Sequence, residues 1–201
     1  MDARLRSLLD DLHRHGVEHD AGQADRLQRL RNLEPDTAAL LALLVRATGA
    51  RHVLELGTSN GYSTVWLADA VAANEGDLTS VELDPERTTQ AAQNLERAGL
   101  RRVVDLRIQD AADTLRQSED AEWDMIFLDA ERPAYASYWP DLVRVLAPRG
   151  VVAVDNALSH AAELEDFRAL VSADERVSEA LAQTGAGALL IVRDGDARPP
   201  R

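Results

Sequence analysis

Cysteine is missing from all 201 residues, so disulfides, thiolate metal sites and thiol nucleophiles are excluded. Lysine is missing too. All 22 basic residues are arginine, which removes lysine from every possible mechanism. No apolar run approaches the length of a membrane span, and the stretch from Met1 to Gly16 is charged, unlike a secretory leader. A basic excess is also lacking. The formal net charge is -13 and the isoelectric point is about 4.7. Such a surface repels phosphate backbones and anionic lipid, so neither nucleic acid nor membrane is an expected partner. A cytoplasmic protein acting on a small molecule is the expectation these absences leave.

What is present points to one α/β domain over residues 1–201. Leu5, Leu8, Leu9 and Leu12 stand at helical spacing and predict a first helix ending near Gly16. Residues 16–31 are polar and ambiguous. Pro35 opens a second helix carrying Leu40, Leu41, Leu44 and Val45, which Gly49 stops. From residue 51 to 193 short apolar strands alternate with helices: strands at 53–56, 78–83, 103–108, 125–128 and 151–154, and a last one at 188–192. Helices are expected from Tyr62, Pro85, Asp110 and about Tyr135, and around Leu164 to Leu170. Residues 194–201 read as a frayed tail. Strand–helix alternation predicts a doubly wound, Rossmann-like, mostly parallel sheet with helices on both faces and an N-terminal helical extension. Strands that are apolar throughout, such as 125–128, fit a sheet covered on both sides.

In such sheets ligands bind beyond the carboxyl ends of the strands, where strand order reverses. The first core strand runs into Glu55-Leu56-Gly57-Thr58-Ser59-Asn60-Gly61-Tyr62-Ser63. The glycine spacing is not the dinucleotide pattern, and Glu55 would repel a pyrophosphate while suiting a sulfonium or an α-amino group. Glu82, at the next strand end, can accept from two ribose hydroxyls. Val53-Leu54-Glu55-Leu56-Gly57 with Gly61-Tyr62-Ser63 resembles motif I of class I methyltransferases. More narrowly, the chain is similar to the catechol and caffeoyl-CoA O-methyltransferases and their small bacterial relatives, from about Glu34 to Val192. The resemblance implies S-adenosyl-L-methionine as cofactor. By position, Glu55, Gly57, Thr58 and Ser63 would hold its methionine part, Glu82 its ribose, and Gln109, Asp110 and Ala111 its adenine. Asp129 would lie beside it, and Asn32 to Asp36 would close over it.

Two further strands end in oxygen ligands: Asp129 after 125–128, and Asp155-Asn156 after 151–154. An oxygen-only set suits Mg²⁺, Mn²⁺ or Ca²⁺ and leaves positions open for water and substrate. The plainer account of a lone aspartate there is a helix or turn cap. The resemblance implies the same metal ligands, Asp129, Asp155 and Asn156. It also marks a departure. Where the family carries a lysine thought to act as base, this chain has Arg132, which stays protonated. Arg132 could stabilise an oxyanion or be a surface residue. His160 is a candidate base, or an incidental loop histidine. His13, His15 and His19 read as exposed. Tyr135, Tyr138 and Trp139 could line a pocket, but their spacing fits core packing. The segment after Asn156 is short, and no late carboxylate is found for a second hydroxyl, which puts catechol itself in doubt.

The leading expectation is metal-assisted O-methylation of a small hydroxylated molecule, aromatic ones included, and the resemblance implies a homodimer. Metal-independent methyl transfer, a nucleotide-binding oxidoreductase and a non-catalytic cofactor-binding protein are the alternatives.

Overall fold

The structure, a computed structural model, describes residues 1–25 and 28–195. The expected fraying covers 194–201, of which 196–201 lie outside the described residues.

Helices α1 (Ala3–Ala21) and α2 (Pro35–Thr48) precede the core. There follow β1 (His52–Leu56), α3 (Tyr62–Ala72), β2 (Asp77–Glu82), α4 (Pro85–Ala98), β3 (Val104–Ile108), α5 (Ala111–Gln117), β4 (Trp123–Leu128), α6 (Tyr135–Val145), β5 (Leu146–Val154), α7 (Glu165–Ala173), β6 (Val177–Ala182) and β7 (Ala188–Arg193). The seven strands form one sheet in the order β3-β2-β1-β4-β5-β7-β6. The first five pair in parallel, whereas β7 runs antiparallel to both β5 and β6. Strand order reverses between β1 and β4, and there the crevice opens.

Strand periodicity sorts the core into two layers. Val53, Leu78, Met125 and Phe127 face α1 to α4. Their neighbours Leu54, Val81, Ile126 and Leu128 face α5 to α7. Both faces are apolar because both are covered.

Three elements differ from expectation. Helix α1 does not stop near Gly16; it runs on to Ala21. Gly16 is tolerated because Asn32 lies against it, and a Cβ there would stand 2.3 Å from Asn32 Nδ2. Strand β6 had no counterpart in the reading. Its residues Val177-Ser-Glu-Ala-Leu-Ala have mostly helical propensity, and pairing with β7 at the sheet edge overrides it. β5 also starts earlier, at Leu146, with a register shift against β4 that absorbs Pro148 to Gly150.

Candidate active site

The site grows from the ends of the five parallel strands. After β1 the chain turns at Gly57, whose φ is +108°. An added Cβ there would stand 2.3 Å from the Asp129 carbonyl oxygen, so only glycine lets the two loops meet. Gly57 N and Thr58 N both donate to Val81 O, at 3.0 and 3.2 Å, and Asp129 N donates to Leu56 O at 2.9 Å. The ends of β1, β2 and β4 are thereby tied together.

Glu55 lies beneath this loop, fully buried. Its carboxylate accepts from Ser63 Oγ at 2.5 Å, Thr64 Oγ1 at 2.5 Å and Ser80 Oγ at 2.6 Å. Burial pushes its carboxyl up to about 7; the three hydroxyls pull the other way, and the charge of Glu82 adds to the rise. Glu55 therefore lines no open space and acts as the anchor on which the loop and α3 start. Thr58 and Ser63 are buried as well, beside a narrow space of about 10 Å³.

Glu82 is placed differently. One carboxylate oxygen accepts from Ser59 N at 2.9 Å, the other from Leu83 N at 2.9 Å and Asp84 N at 3.1 Å. Three backbone donors fix the carboxylate at the wall of a cavity of about 390 Å³. Gly57, Gln109, Asp110, Ala111 and Asp129 line the same cavity. Asp110 caps α5 through Ala112 N and Asp113 N, both onto Oδ1. Tyr138 lines this cavity too, whereas Tyr135 and Trp139 are buried in the core against Phe167. Tyr135 still serves the site: its hydroxyl accepts from Ala130 N at 2.8 Å and donates to Ala130 O at 3.0 Å, pinning the turn after Asp129.

A second cavity, about 500 Å³, opens on the other side of Asp129. Asp155, Asn156, Arg132 and His160 line it together with Asp129. The predicted metal set is thus brought to one wall. Asp155 is 6% exposed. Burial pushes its carboxyl up to about 6, against the opposing pull of Asn156 and Arg132. The Asp129 carboxyl is raised well above its ordinary value, by burial first and then by the charge of Asp155. Asn156, at φ +63°, donates Nδ2 to Asp155 Oδ2 at 2.5 Å. Among the described residues no three His, Cys, Asp or Glu side chains converge as a metal cluster. The donor set is two carboxylates and one amide oxygen. Carboxylates that disfavour each other's charge in a buried site are what a hard cation relieves, so this set fits one.

Arg132 is not a surface residue. It is 5% exposed and donates Nε to Glu163 Oε2 at 2.8 Å. His160 Nδ1 lies 2.8 Å from Ser159 Oγ.

Several wall residues went unread in the sequence. His13, Gly16, Val17, Asp20 and Ala21 of α1 all line the second cavity. Their spacing is a helical stripe, continuing the leucine stripe one face over, and it was the available signal. His13 is half-buried against Tyr62, its ring 5.7 Å away, and His19 is half-buried beside Asp20; only His15 of the three is exposed as read. Residues 28–34 form a strap over the loop. Leu30 and Arg31 of the strap line the first cavity, two residues before the segment expected to close it. Asn32 and Glu34 line the second. Arg31 and Asp129 line both cavities.

A family model described as O-methyltransferase matches residues 3–194. The chain belongs to the O-methyltransferase family. It is 36% identical over 138 residues to a catechol O-methyltransferase of Niastella koreensis, covering 67% of this chain and 62% of that relative. Among solved structures, the O-methyltransferase from Bacillus cereus in complex with SAH superposes with a TM-score of 0.76 at 26% identity, covering 96% of this chain and 92% of that one. TomG from Streptomyces achromogenes, in complex with SAM, gives 0.76 at 27% identity, covering 97% and 91%. No helix among the described residues is long and apolar enough to cross a membrane.

Proposed function

We propose that the chain transfers the methyl group of S-adenosylmethionine to a hydroxyl of a small molecule, with a divalent cation held by Asp129, Asp155 and Asn156. One observation carries the reading: two cavities, one lined by Glu82 and Asp110 and the other by Asp155, Asn156 and His160, meet at Asp129. A donor in one and an acceptor in the other face each other there. The Bacillus cereus O-methyltransferase and TomG were solved in complex with SAH and SAM, and this supports the choice of cofactor.

Bound in the first cavity, S-adenosylmethionine supplies an electrophilic methyl group on a sulfonium. Glu82 offers its remaining lone pairs to ribose hydroxyls, having been fixed by three backbone N–H groups. Asp110 keeps Oδ2 free of the cap and can accept from an adenine amine. A cation at Asp129, Asp155 and Asn156 supplies positive charge that makes a neighbouring hydroxyl more acidic. Arg132 adds a fixed positive charge beside the two aspartates, because Glu163 and burial hold it in place. It cannot take the proton. His160, on the same wall, is the side chain suited to do so.

A second reading is methyl transfer without a metal. Arg132 favours it, since a buried guanidinium beside Asp129 and Asp155 already offsets part of their charge. Transfer of labelled methyl from S-adenosylmethionine to a vicinal diol, with Mg²⁺ and with a strong chelator, separates the two. The metal-assisted reading expects loss of turnover with the chelator and recovery with Mg²⁺. Unchanged turnover establishes the second.

A further inference from the structure

The walls of the second cavity are unequal. Asp129, Asp155 and Glu34 supply it with carboxyl groups. Arg29 of the strap, half-buried, lines the same cavity. Its Nε donates to Gln23 O at 3.0 Å. Among the described residues no carboxylate pairs with its two Nη groups. Asp20, the acid on the adjoining wall, is already engaged: its two oxygens accept from Leu30 N at 2.7 Å and Arg31 N at 2.8 Å, and His19 lies 3.1 Å away. In a chain with 35 acidic residues against 22 arginines, a half-buried guanidinium facing a cavity without an acidic partner is a departure from the general pattern. A partly desolvated guanidinium is costly until it is paired, and a carboxylate answers its planar fork with two hydrogen bonds. No Phe, Tyr or Trp lines this cavity; its rings are His13 and His160.

We infer that the acceptor carries a carboxylate in addition to its hydroxyl, and that Arg29 takes that carboxylate while the hydroxyl lies at Asp129 and Asp155. The inference rests on the methyl-transfer reading for the role of the aspartates. It assigns specificity to the strap, outside the strand ends that carry the chemistry.

The test compares two vicinal diols matched except for charge, 3,4-dihydroxybenzoate and 3,4-dihydroxybenzyl alcohol, on the full chain with S-adenosylmethionine and Mg²⁺. The expected result is a kcat/KM preference for the acid of about tenfold or more, as a charge-assisted pair gives. Arg29→Gln removes that preference and leaves the alcohol unchanged; Arg29→Lys retains part of it. Equal rates in the wild type overturn the inference, as does a variant that slows both acceptors alike. If neither is methylated although the cofactor binds, the failure falls on the methyl-transfer reading for these acceptors. Titration of both compounds into the S-adenosylhomocysteine-loaded protein then decides the carboxylate site by itself. Tighter binding of the acid, lost in Arg29→Gln, upholds it, and equal binding overturns it.

Discussion

The two cavities are built in different ways. The first is made mainly of strand ends and the turns that follow them, with Leu30 and Arg31 of the strap and Tyr138 of α6 completing its wall. The second is assembled from far-apart pieces: the last two turns of α1, the strap, the end of β4 and the end of β5. Backbone groups fix the first, as the three N–H donors on Glu82 show. Side chains dominate the second, and two of its carboxyls are held above their ordinary range. A cavity made of backbone suits a cofactor that never changes. A cavity made of side chains on an added helix and a strap suits an acceptor that differs from one family member to the next.

The comparison breaks most sharply at Asp155, which lines the second cavity alone. Asp155→Ala is expected to cost turnover about a hundredfold or more, since a bound cation's charge stabilisation is worth several kcal/mol. Steady-state methyl transfer measures it, and the loss should appear in kcat. Next comes Glu82, which lines the first alone. Glu82→Gln removes a charged acceptor for ribose hydroxyls and should weaken S-adenosylmethionine binding by roughly ten- to a hundredfold, at 1.5–3 kcal/mol for such bonds. Calorimetry checks this, with Mg²⁺ affinity unchanged. Gly16→Ala then perturbs the second cavity from outside. Its new methyl would press on Asn32 Nδ2 at 2.3 Å and push the strap from α1. Overpacking of this kind costs about 1–3 kcal/mol, visible as a lower Tm and a raised acceptor KM.

The smallest effect sharpens the cofactor side. The Glu55 carboxyl is raised from 4.5 to about 7 in the folded chain. A carboxyl raised on folding binds its proton more tightly in the native state, so its stabilisation is complete below about pH 4.5 and is lost as pH rises through about 7. Each pH unit in that window removes at most about 1.4 kcal/mol. Urea midpoints of the wild type should therefore fall from pH 5 to 7 relative to those of Glu55→Gln, in which the group does not titrate.

Much of the first cavity was legible in the sequence because its signals are local. Glycines 57 and 61, Glu82 after β2 and Asp110 before α5 each belong to a strand-to-helix turn whose chemistry is written in neighbouring residues. The sheet was legible for the same reason, except at its edge. There Val177 to Ala182 takes its conformation from β7 rather than from its own propensity. Glu55 was legible as a site residue but not as a buried anchor, because the three hydroxyls that hold it come from α3 and β2. The second cavity was legible at Asp129, Arg132, Asp155, Asn156 and His160, and at Asn32 to Asp36 only as a segment expected to close over the cofactor. The walls from α1 and the strap depend on contacts such as Asp20 to Leu30 and Arg31, ten and eleven residues apart, and Asn32 to Leu12, twenty apart. The change from leucines to polar residues along α1 reads as the end of a helix. In the structure it is the point where the helix passes from core to cavity wall.

The division of labour between the two cavities is tested most directly by titrating S-adenosylmethionine and Mg²⁺ separately into wild-type protein and Asp155→Ala. The predicted result is cofactor binding of equal affinity in both proteins and cation binding in the wild type alone. Loss of cofactor binding in the variant, or cation binding that the substitution leaves intact, would contradict the account.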